Sequence, residues 1–563
     1  MNKAGLLYSL RLSSLFVVIF LYLCVLLNSA MINDDYMALY TIWRMSIGHV
    51  GGVDFNIDSY TLLFDLLTSI ATLLEPKFEL IFLFRAIMLL MILLISCQLS
   101  YLLQIVVSKR VSFIAVIFLL ICTPMYLRGL DLRPDLFILL IWLQIIIIFS
   151  GKTAILSPVK ITYVGVLIGL AFLFKFKSII IVLPLALFFI QEMIIERRNI
   201  RVLIGAIAYL LLGVGLVIIS YAWMLGFDSV IQGYVVVTAK LMTSSINGDI
   251  SVSGLKFDIL KQAFIQDALF WIFGLIGAML FVVKINRFST KQRFTVCYLL
   301  LLALASVALN PHYFAYNLIS LYPLLLILVA ITLQELYNLL VNATDLFYSV
   351  SILLGAAYLT LSIFHFYTYA STDRLSHQAA LNEFILGNTE EEQAVFAYEG
   401  IGLFRPSTFH WRTSKIRLSQ YFRGDYDLWQ EIKEAKPVLI ILNYRLPHWL
   451  LQRDKQALFD HYIIVAPQVM APGFSTFNQR DSYLILSGAY RMNNTRGKPC
   501  KLDDQWVEDG TILTRQEGRV KLEVGTGGVC SLSWAFSKKS INRLTTSNPH
   551  GYPYLLRSSL RFN

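Results

Sequence analysis

Two adjacent carboxylates, Asp34 and Asp35, follow directly on the first membrane-length apolar run, in the stretch Ala30-Met31-Ile32-Asn33-Asp34-Asp35-Tyr36-Met37-Ala38-Leu39. A carboxylate at a membrane border is either a helix end turned to water or a functional group kept where charge is costly. Beside an acceptor hydroxyl, such a carboxylate suits general-base work. More polar groups recur at the ends of later apolar runs: the carboxylates Asp54, Asp131 and Asp135, the cations Arg85, Arg128, Arg133, Lys175 and Lys177, and His312, Tyr313 and Tyr316. One cation at a helix end is explained by snorkelling. Several cations converging with carboxylates on one face suit a phosphate or pyrophosphate, Arg offering fork geometry and Lys a point charge.

The elements that must position these groups are apolar helices. Hydrophobic residues make up 57% of the chain and charged residues 15%, against about 25% charged in soluble domains. The expected class is an α-helical polytopic membrane protein with about eleven spans of membrane length. They fall at Leu15–Leu27, Leu80–Val107, Val111–Met125, Leu136–Phe149, Ile161–Phe174, Ile179–Ile195, Val202–Leu225, Ala268–Val283, Phe294–Leu309, Phe314–Leu333 and Leu346–Phe366. The net charge of +11 sits mostly in short loops and a polar tail, which points to membrane lipids and not to nucleic acid. Alternate loops collect Lys109/Arg110, Lys152/Lys160, Arg197/Arg198/Arg201 and Lys284/Arg287/Lys291/Arg293 on the side of the N-terminus. By the Lys/Arg bias that side is cytoplasmic. The opposite face then gathers Asp34-Asp35, the Arg133-Pro134-Asp135 loop, Lys175/Lys177, a polar loop from Gly226 to Asp267, and His312-Tyr313. Between the first two spans, Asp35–Ile47 and Asp58–Leu74 read as short amphipathic helices lying in the interface.

From Ser371 the chain is polar, with strand-length apolar bursts at Ala394–Tyr398, Val438–Leu442, Tyr462–Ala466 and Tyr483–Leu486 and a helical stretch at Tyr426–Ala435. Residues 1–370 are thus expected to form a membrane domain, and 371–563 a soluble α/β domain ending in a β-rich segment. Of six cysteines, Cys24, Cys97, Cys122 and Cys297 lie in or at the edge of apolar runs and behave as small apolar residues. Cys500 precedes the glycine-rich segment Trp506–Trp534 and Cys530 lies near its end, and in an oxidising outer compartment they are expected to pair. The tail also carries Phe404, Phe409, Trp411, Tyr421, Trp429 and Trp449, rings that serve either sugar stacking or a core. Arg405 and Arg412 are candidates to face the membrane half and help close a site.

At this point the chain resembles the lipid-linked-sugar-dependent glycosyltransferases of the GT-C fold, bacterial relatives of protein mannosyltransferases and of the aminoarabinose transferase of lipid A. Asn33-Asp34-Asp35-Tyr36 stands where the family has Asp-Glu or Asp-Asp in its first outer loop. Gly48-His49-Val50-Gly51-Gly52-Val53-Asp54-Phe55 resembles its Gly-to-Asp-Phe segment, and Arg133-Pro134-Asp135 opens the fourth span as in many members. Gly169-Leu170-Ala171-Phe172-Leu173-Phe174-Lys175 resembles a family motif with Phe174 in place of the usual Thr. His312-Tyr313-Phe314-Ala315-Tyr316 with Tyr322-Pro323 resembles its late helix start. The resemblance spans about residues 10–370 and implies a sugar donor on polyprenyl phosphate, undecaprenyl phosphate in bacteria, and a glycan or lipid acceptor.

It further implies roles. Arg85, Lys175 and either Lys177 or Arg133 would meet the donor phosphate. Asp34 would act as base, and Asp35 or Asp131 would orient the acceptor or bind a divalent cation, Mg or Mn. Asp54, Asp135, His312, Tyr313 and Tyr316 would line the substrate site. The product would be an inverted glycoside on a cell-envelope acceptor, such as lipopolysaccharide, O-antigen or lipid A. The setting would be the periplasmic face of a bacterial inner membrane, with the N-terminus cytoplasmic and the tail periplasmic. No glycine-rich phosphate loop for a nucleotide sugar is present. The alternatives are a surface-polysaccharide polymerase or ligase, whose large outer loop comes late in the membrane part, and a lipid-linked-sugar transporter, which predicts mid-span charges and paired repeats.

Overall fold

A computed structural model describes residues 3–50, 62–74, 77–150, 157–195, 200–227, 252–309, 315–339, 375–397, 400–407, 421–442, 450–477, 481–524 and 528–547, with isolated positions between 357 and 367. The membrane half begins with α1 (Lys3–Asn28), α2 (Asn33–Ser46), α3 (Leu62–Leu74), α4 (Leu80–Leu103), α5 (Lys109–Leu120), α6 (Thr123–Arg128), α7 (Asp135–Ser150) and α8 (Pro158–Phe174). A 3₁₀ turn at Phe176–Ile181 leads into α9 (Val182–Ile195), followed by α10 (Ile200–Leu225), α11 (Val252–Gln266), α12 (Ala268–Val283), α13 (Thr290–Ala308) and α14 (Leu318–Leu339). The first ten expected spans all fall on helical segments, the third on two helices and the sixth on the 3₁₀ turn plus α9, and the eleventh lies mostly outside the described residues.

Among the described residues, four helical stretches are long and apolar enough to cross a membrane unaided: Leu80–Leu103, Arg201–Leu225, Thr290–Ala308 and Ala315–Leu339. Other expected spans are shorter or broken, for local reasons. The third splits at Ile121-Cys122, because Pro124 enters at the first turn of α6 and starts a new helix instead of extending α5. The segment expected as loop up to Asp267 contains α11, which meets α12 at 102°. Two glycine pairings set helix spacing. A Cβ on Gly165 would stand 2.2 Å from the Leu210 carbonyl oxygen, and one on Gly213 would stand 2.1 Å from that of Thr162. Small residues therefore let α8 and α10 meet backbone to backbone, a common device of membrane helices. The helix around α14 is buried along most of its length, whereas α10 is largely open to its surroundings.

The tail contains α15 (Leu375–Asn388), β1 (Val395–Ala397), α16 (Leu428–Ala435), β2 (Leu439–Ile441), α17 (Gln452–His461), β3 (Tyr462–Ala466), β4 (Val469–Ser475), β5 (Asp481–Leu484), β6 (Gly488–Asn494), β7 (Cys500–Leu502), β8 (Gln505–Val507), β9 (Ile512–Arg515), β10 (Gly518–Glu523), β11 (Cys530–Trp534) and α18 (Lys538–Ser547). β1 and β2 pair in parallel around α16, the α/β unit expected from the sequence. The other strand pairs are antiparallel. One sheet runs β1-β2-β4-β11-β6-β9 with β3 on β4, and a second runs β5-β10-β7-β8. Cys500 and Cys530 form a disulfide across a sequence separation of 30 residues, and the Asn494 amide donates to both sulfurs.

The three candidate tail rings among the described residues make structural contacts. Tyr421 is buried and hydrogen-bonds Asp454 at 2.5 Å, and Trp429 stacks on His461. Phe404 meets Trp43 of α2 edge to face. Phe409, Trp411, Arg412 and Trp449 lie outside the described residues. Arg405, expected to face the membrane half, instead turns inward. Its guanidinium donates to the carbonyls of Leu386, Thr389 and Phe404 and to the Thr389 hydroxyl, satisfying the end of α15.

Candidate active site

The connector 29–32 delivers the chain from α1 to α2, and α2 begins at Asn33. Successive residues of a helix point about 100° apart, so Asp34 and Asp35 must face different surroundings. Asp35 faces inward and is fully buried. One of its oxygens accepts from Ile32 N at 3.2 Å, which caps α2, and lies 3.5 Å from Arg85 Nη2. The other accepts from Leu132 N at 2.8 Å and ties the loop before α7 to α2. Arg85 is equally committed. Its Nη1 donates to the carbonyls of Leu26 (3.2 Å) and Ser29 (2.7 Å), and its Nη2 to that of Ala30 (3.3 Å). With its side chain 2% exposed, it closes the C-terminal end of α1, whose carbonyls carry partial negative charge. The expectation that Arg85 meets a donor phosphate does not fit this geometry.

Asp34 has the other fate. Its side chain is 30% exposed and pairs with Arg133 Nη1. Arg133 lies between two carboxylates, with Nε 3.2 Å from Asp135 Oδ2. Asp135 opens α7, where a negative charge suits the positive end of the helix dipole. The same Asp135 oxygen lies 3.8 Å from Lys175 Nζ. Lys175 leaves α8 in an extended conformation (φ −168°, ψ 132°), and its side chain is 26% exposed. The Tyr316 ring lies under both cations, 3.3 Å from Arg133 Cζ and 5.6 Å from Lys175 Nζ. Carboxylate and cation thus alternate along Asp34, Arg133, Asp135 and Lys175, drawn from α2, the loop before α7, α7 itself and the end of α8. The chain is neutral overall, with a partly open cation at one end and a partly open carboxylate at the other.

The remaining expected residues divide. Asp131 is buried and 3.7 Å from Arg128 Nη1. Lys177 lies in the 3₁₀ turn, its side chain outside the described residues, as are Asp54, His312 and Tyr313 entirely. Among the described residues no group of three or more His, Cys, Asp or Glu is placed to hold a metal ion. Asp35, expected to orient the acceptor or bind a divalent cation, has both oxygens engaged by Ile32 N, Leu132 N and Arg85, and Asp131, the alternative, faces Arg128. Sequence reasoning passed over Asp267. It is fully buried at the break between α11 and α12 and accepts from Thr123 N, Thr123 Oγ1 (both 3.1 Å) and Tyr322 OH (2.9 Å). An Asp flanked by two apolar helices was the available signal. Gln378 was also passed over, and no local signal marks it.

A scan against protein-family models gives no match, and a search of curated proteins gives none. Solved structures do match. ArnT from Cupriavidus metallidurans in the apo state superposes with a TM-score of 0.57 at 11% identity, covering 84% of this chain and 98% of that one. The same protein bound to undecaprenyl phosphate gives 0.56 at 11% identity, with the same coverage. The Archaeoglobus fulgidus oligosaccharyltransferase in the apo form gives 0.51 at 10% identity, covering 90% of this chain and 74% of that one. The expected fold class is thereby met: the chain is a polytopic α-helical membrane protein of the GT-C fold with a β-rich C-terminal domain.

Proposed function

We propose that the protein is an inverting glycosyltransferase that moves a sugar from a polyprenyl-phosphate donor, undecaprenyl phosphate in bacteria, to a hydroxyl of a cell-envelope glycan or lipid. The observation that carries this reading is the rim chain on a GT-C fold: a partly exposed Asp34 paired with Arg133, and Lys175 beyond Asp135, with both cations over the Tyr316 ring. The superposition with ArnT bound to undecaprenyl phosphate supports the donor class. Residues 1–370 form the catalytic membrane domain and 371–563 a periplasmic domain. The Cys500–Cys530 bond supports an oxidising compartment for that domain.

In this mechanism the donor phosphate binds Arg133 and Lys175. Arg133 turns from Asp34 toward the phosphate, which frees the carboxylate. Asp34 takes the proton of the acceptor hydroxyl. The hydroxyl oxygen attacks the anomeric carbon from the face opposite the phosphate, and the anomeric carbon–oxygen bond to phosphate breaks. The phosphate departs as the polyprenyl monoester with one more negative charge, which Arg133 and Lys175 are placed to stabilise. Asp35 and Arg85 hold α2 and α1 and do not touch substrate, and no step is routed through a metal. The test incubates the purified full chain with a panel of polyprenyl-phosphate sugars and an envelope extract. One donor is expected to be consumed with release of polyprenyl phosphate. Consumption of none, with every acceptor fraction, would sink the reading.

A further inference from the structure

The four residues that lead into Asp34 are gripped from three directions. Arg85 holds the carbonyls of Ser29 and Ala30, and Asp35 holds the amide of Ile32. Between them, the Met31 peptide is held from the far end of the chain. Met31 N donates to Gln378 Oε1 at 2.7 Å, and Gln378 Nε2 donates to Met31 O at 3.0 Å, across a sequence separation of 347. Gln378 is 1% exposed and Met31 is fully buried. The side-chain amide thus imitates a strand partner for one peptide unit. A buried peptide group left without partners is disfavoured, so this register is preferred to its neighbours.

The same domain touches α2 at further points. Ser407 N donates to Tyr40 OH at 3.0 Å. Gly400, at φ +76°, lies so close that a Cβ there would stand 3.0 Å from Tyr40 Cβ. The Phe404 ring meets that of Trp43. These contacts fix the face of α2 that turns away from Arg133.

We propose that Gln378 is a positioning residue for Asp34: the C-terminal domain sets the base through the Gln378–Met31 amide pair and thereby completes a site built in the membrane half. The inference rests on the transferase reading for its kinetic consequence, though not for its structural one. A displacement of about 1 Å at a catalytic group costs on the order of 100-fold in rate. Gln378→Ala is therefore expected to lower kcat about 10- to 100-fold while the donor KM stays within about two-fold, because Arg133 and Lys175 are left in place.

Gln378→Glu separates hydrogen bonding from bulk. As a carboxylate it still accepts from Met31 N, but it opposes Met31 O. Protonated, it again donates and accepts as the amide does. Its turnover relative to wild type is expected to rise as pH falls, and that of Gln378→Ala is not. Hydrogen exchange of the full chain in detergent provides an arm that needs no turnover: the peptide covering 29–36 is expected to exchange faster in the alanine variant than in wild type.

Alanine-variant kcat within about two-fold of wild type, or unchanged exchange over 29–36, overturns the proposal. So does a glutamate variant no better than alanine at every pH. If the alanine variant fails to fold, the glutamate variant across pH carries the same test. If wild type consumes no donor, the transferase reading falls and the exchange arm still decides the clamp.

Discussion

Asp34 and Asp35 are neighbours in sequence and opposites in setting. Asp35 is buried, carries three contacts to Ile32, Leu132 and Arg85, and joins α1, α2, α4 and the loop before α7. Asp34 keeps a partly open face and one cation that it shares with Asp135. A carboxylate whose oxygens are all engaged cannot take a proton from a substrate without dismantling its surroundings, whereas one with a single arginine partner and an open face has fewer contacts to lose. The comparison also separates two arginines that look alike in sequence. Arg85 closes a helix end, whereas Arg133 pairs with two carboxylates over the Tyr316 ring.

The largest expected effects break this comparison directly. Asp34→Asn is expected to lower turnover by roughly 10²- to 10⁴-fold, the span of general-base contributions, with the thermal midpoint within a degree or so of wild type. Asp35→Asn reverses the pattern. It leaves Arg85 facing a neutral group in the interior, which costs about 3–5 kcal/mol and should appear as a lowered midpoint and poor yield. Equal loss of midpoint in both variants would erase the distinction.

A smaller effect sharpens the rim chain. Lys175→Gln is expected to raise the donor KM or lower kcat by about 10- to 100-fold, as removal of one charge-assisted hydrogen bond does. Thermal stability should change little, because the Asp135–Lys175 contact is long and partly exposed. An unchanged response to a phosphate donor would remove Lys175 from the site.

The smallest effect belongs to the C-terminal domain. Burial pushes the His377 imidazole below its ordinary value of 6.5, partly opposed by its contact with Gln468. The unfolded chain therefore binds the proton first. The stability His377 contributes is present above about pH 6.5 and is lost as pH falls through the lower folded value. The thermal midpoint should decline below that pH, less steeply in His377→Gln. An identical slope in both proteins would show that other groups carry the dependence.

Much of this molecule is legible in its sequence. Apolar runs of membrane length report the helices they form, because each run must bury its own backbone bonds within itself. Short apolar bursts bounded by polar residues located β1, β2 and β3 within a residue or two, and the disulfide followed from compartment and position. Sheet order was not legible, since β11 lies between β4 and β6 through contacts that no local pattern encodes.

The sequence by itself led to the expectation that five carboxylates, five cations, His312, Tyr313 and Tyr316 gather at the ends of apolar runs on one face, without saying which of them meet. Only the tertiary structure decided that Asp34 opens outward while Asp35 turns in, and that Arg85 serves carbonyls. It also brought a glutamine 347 residues away against Met31. The physical reason is that residue type and spacing specify which groups a helix presents, whereas their partners depend on the phase at which the helix starts and on which distant element packs against it.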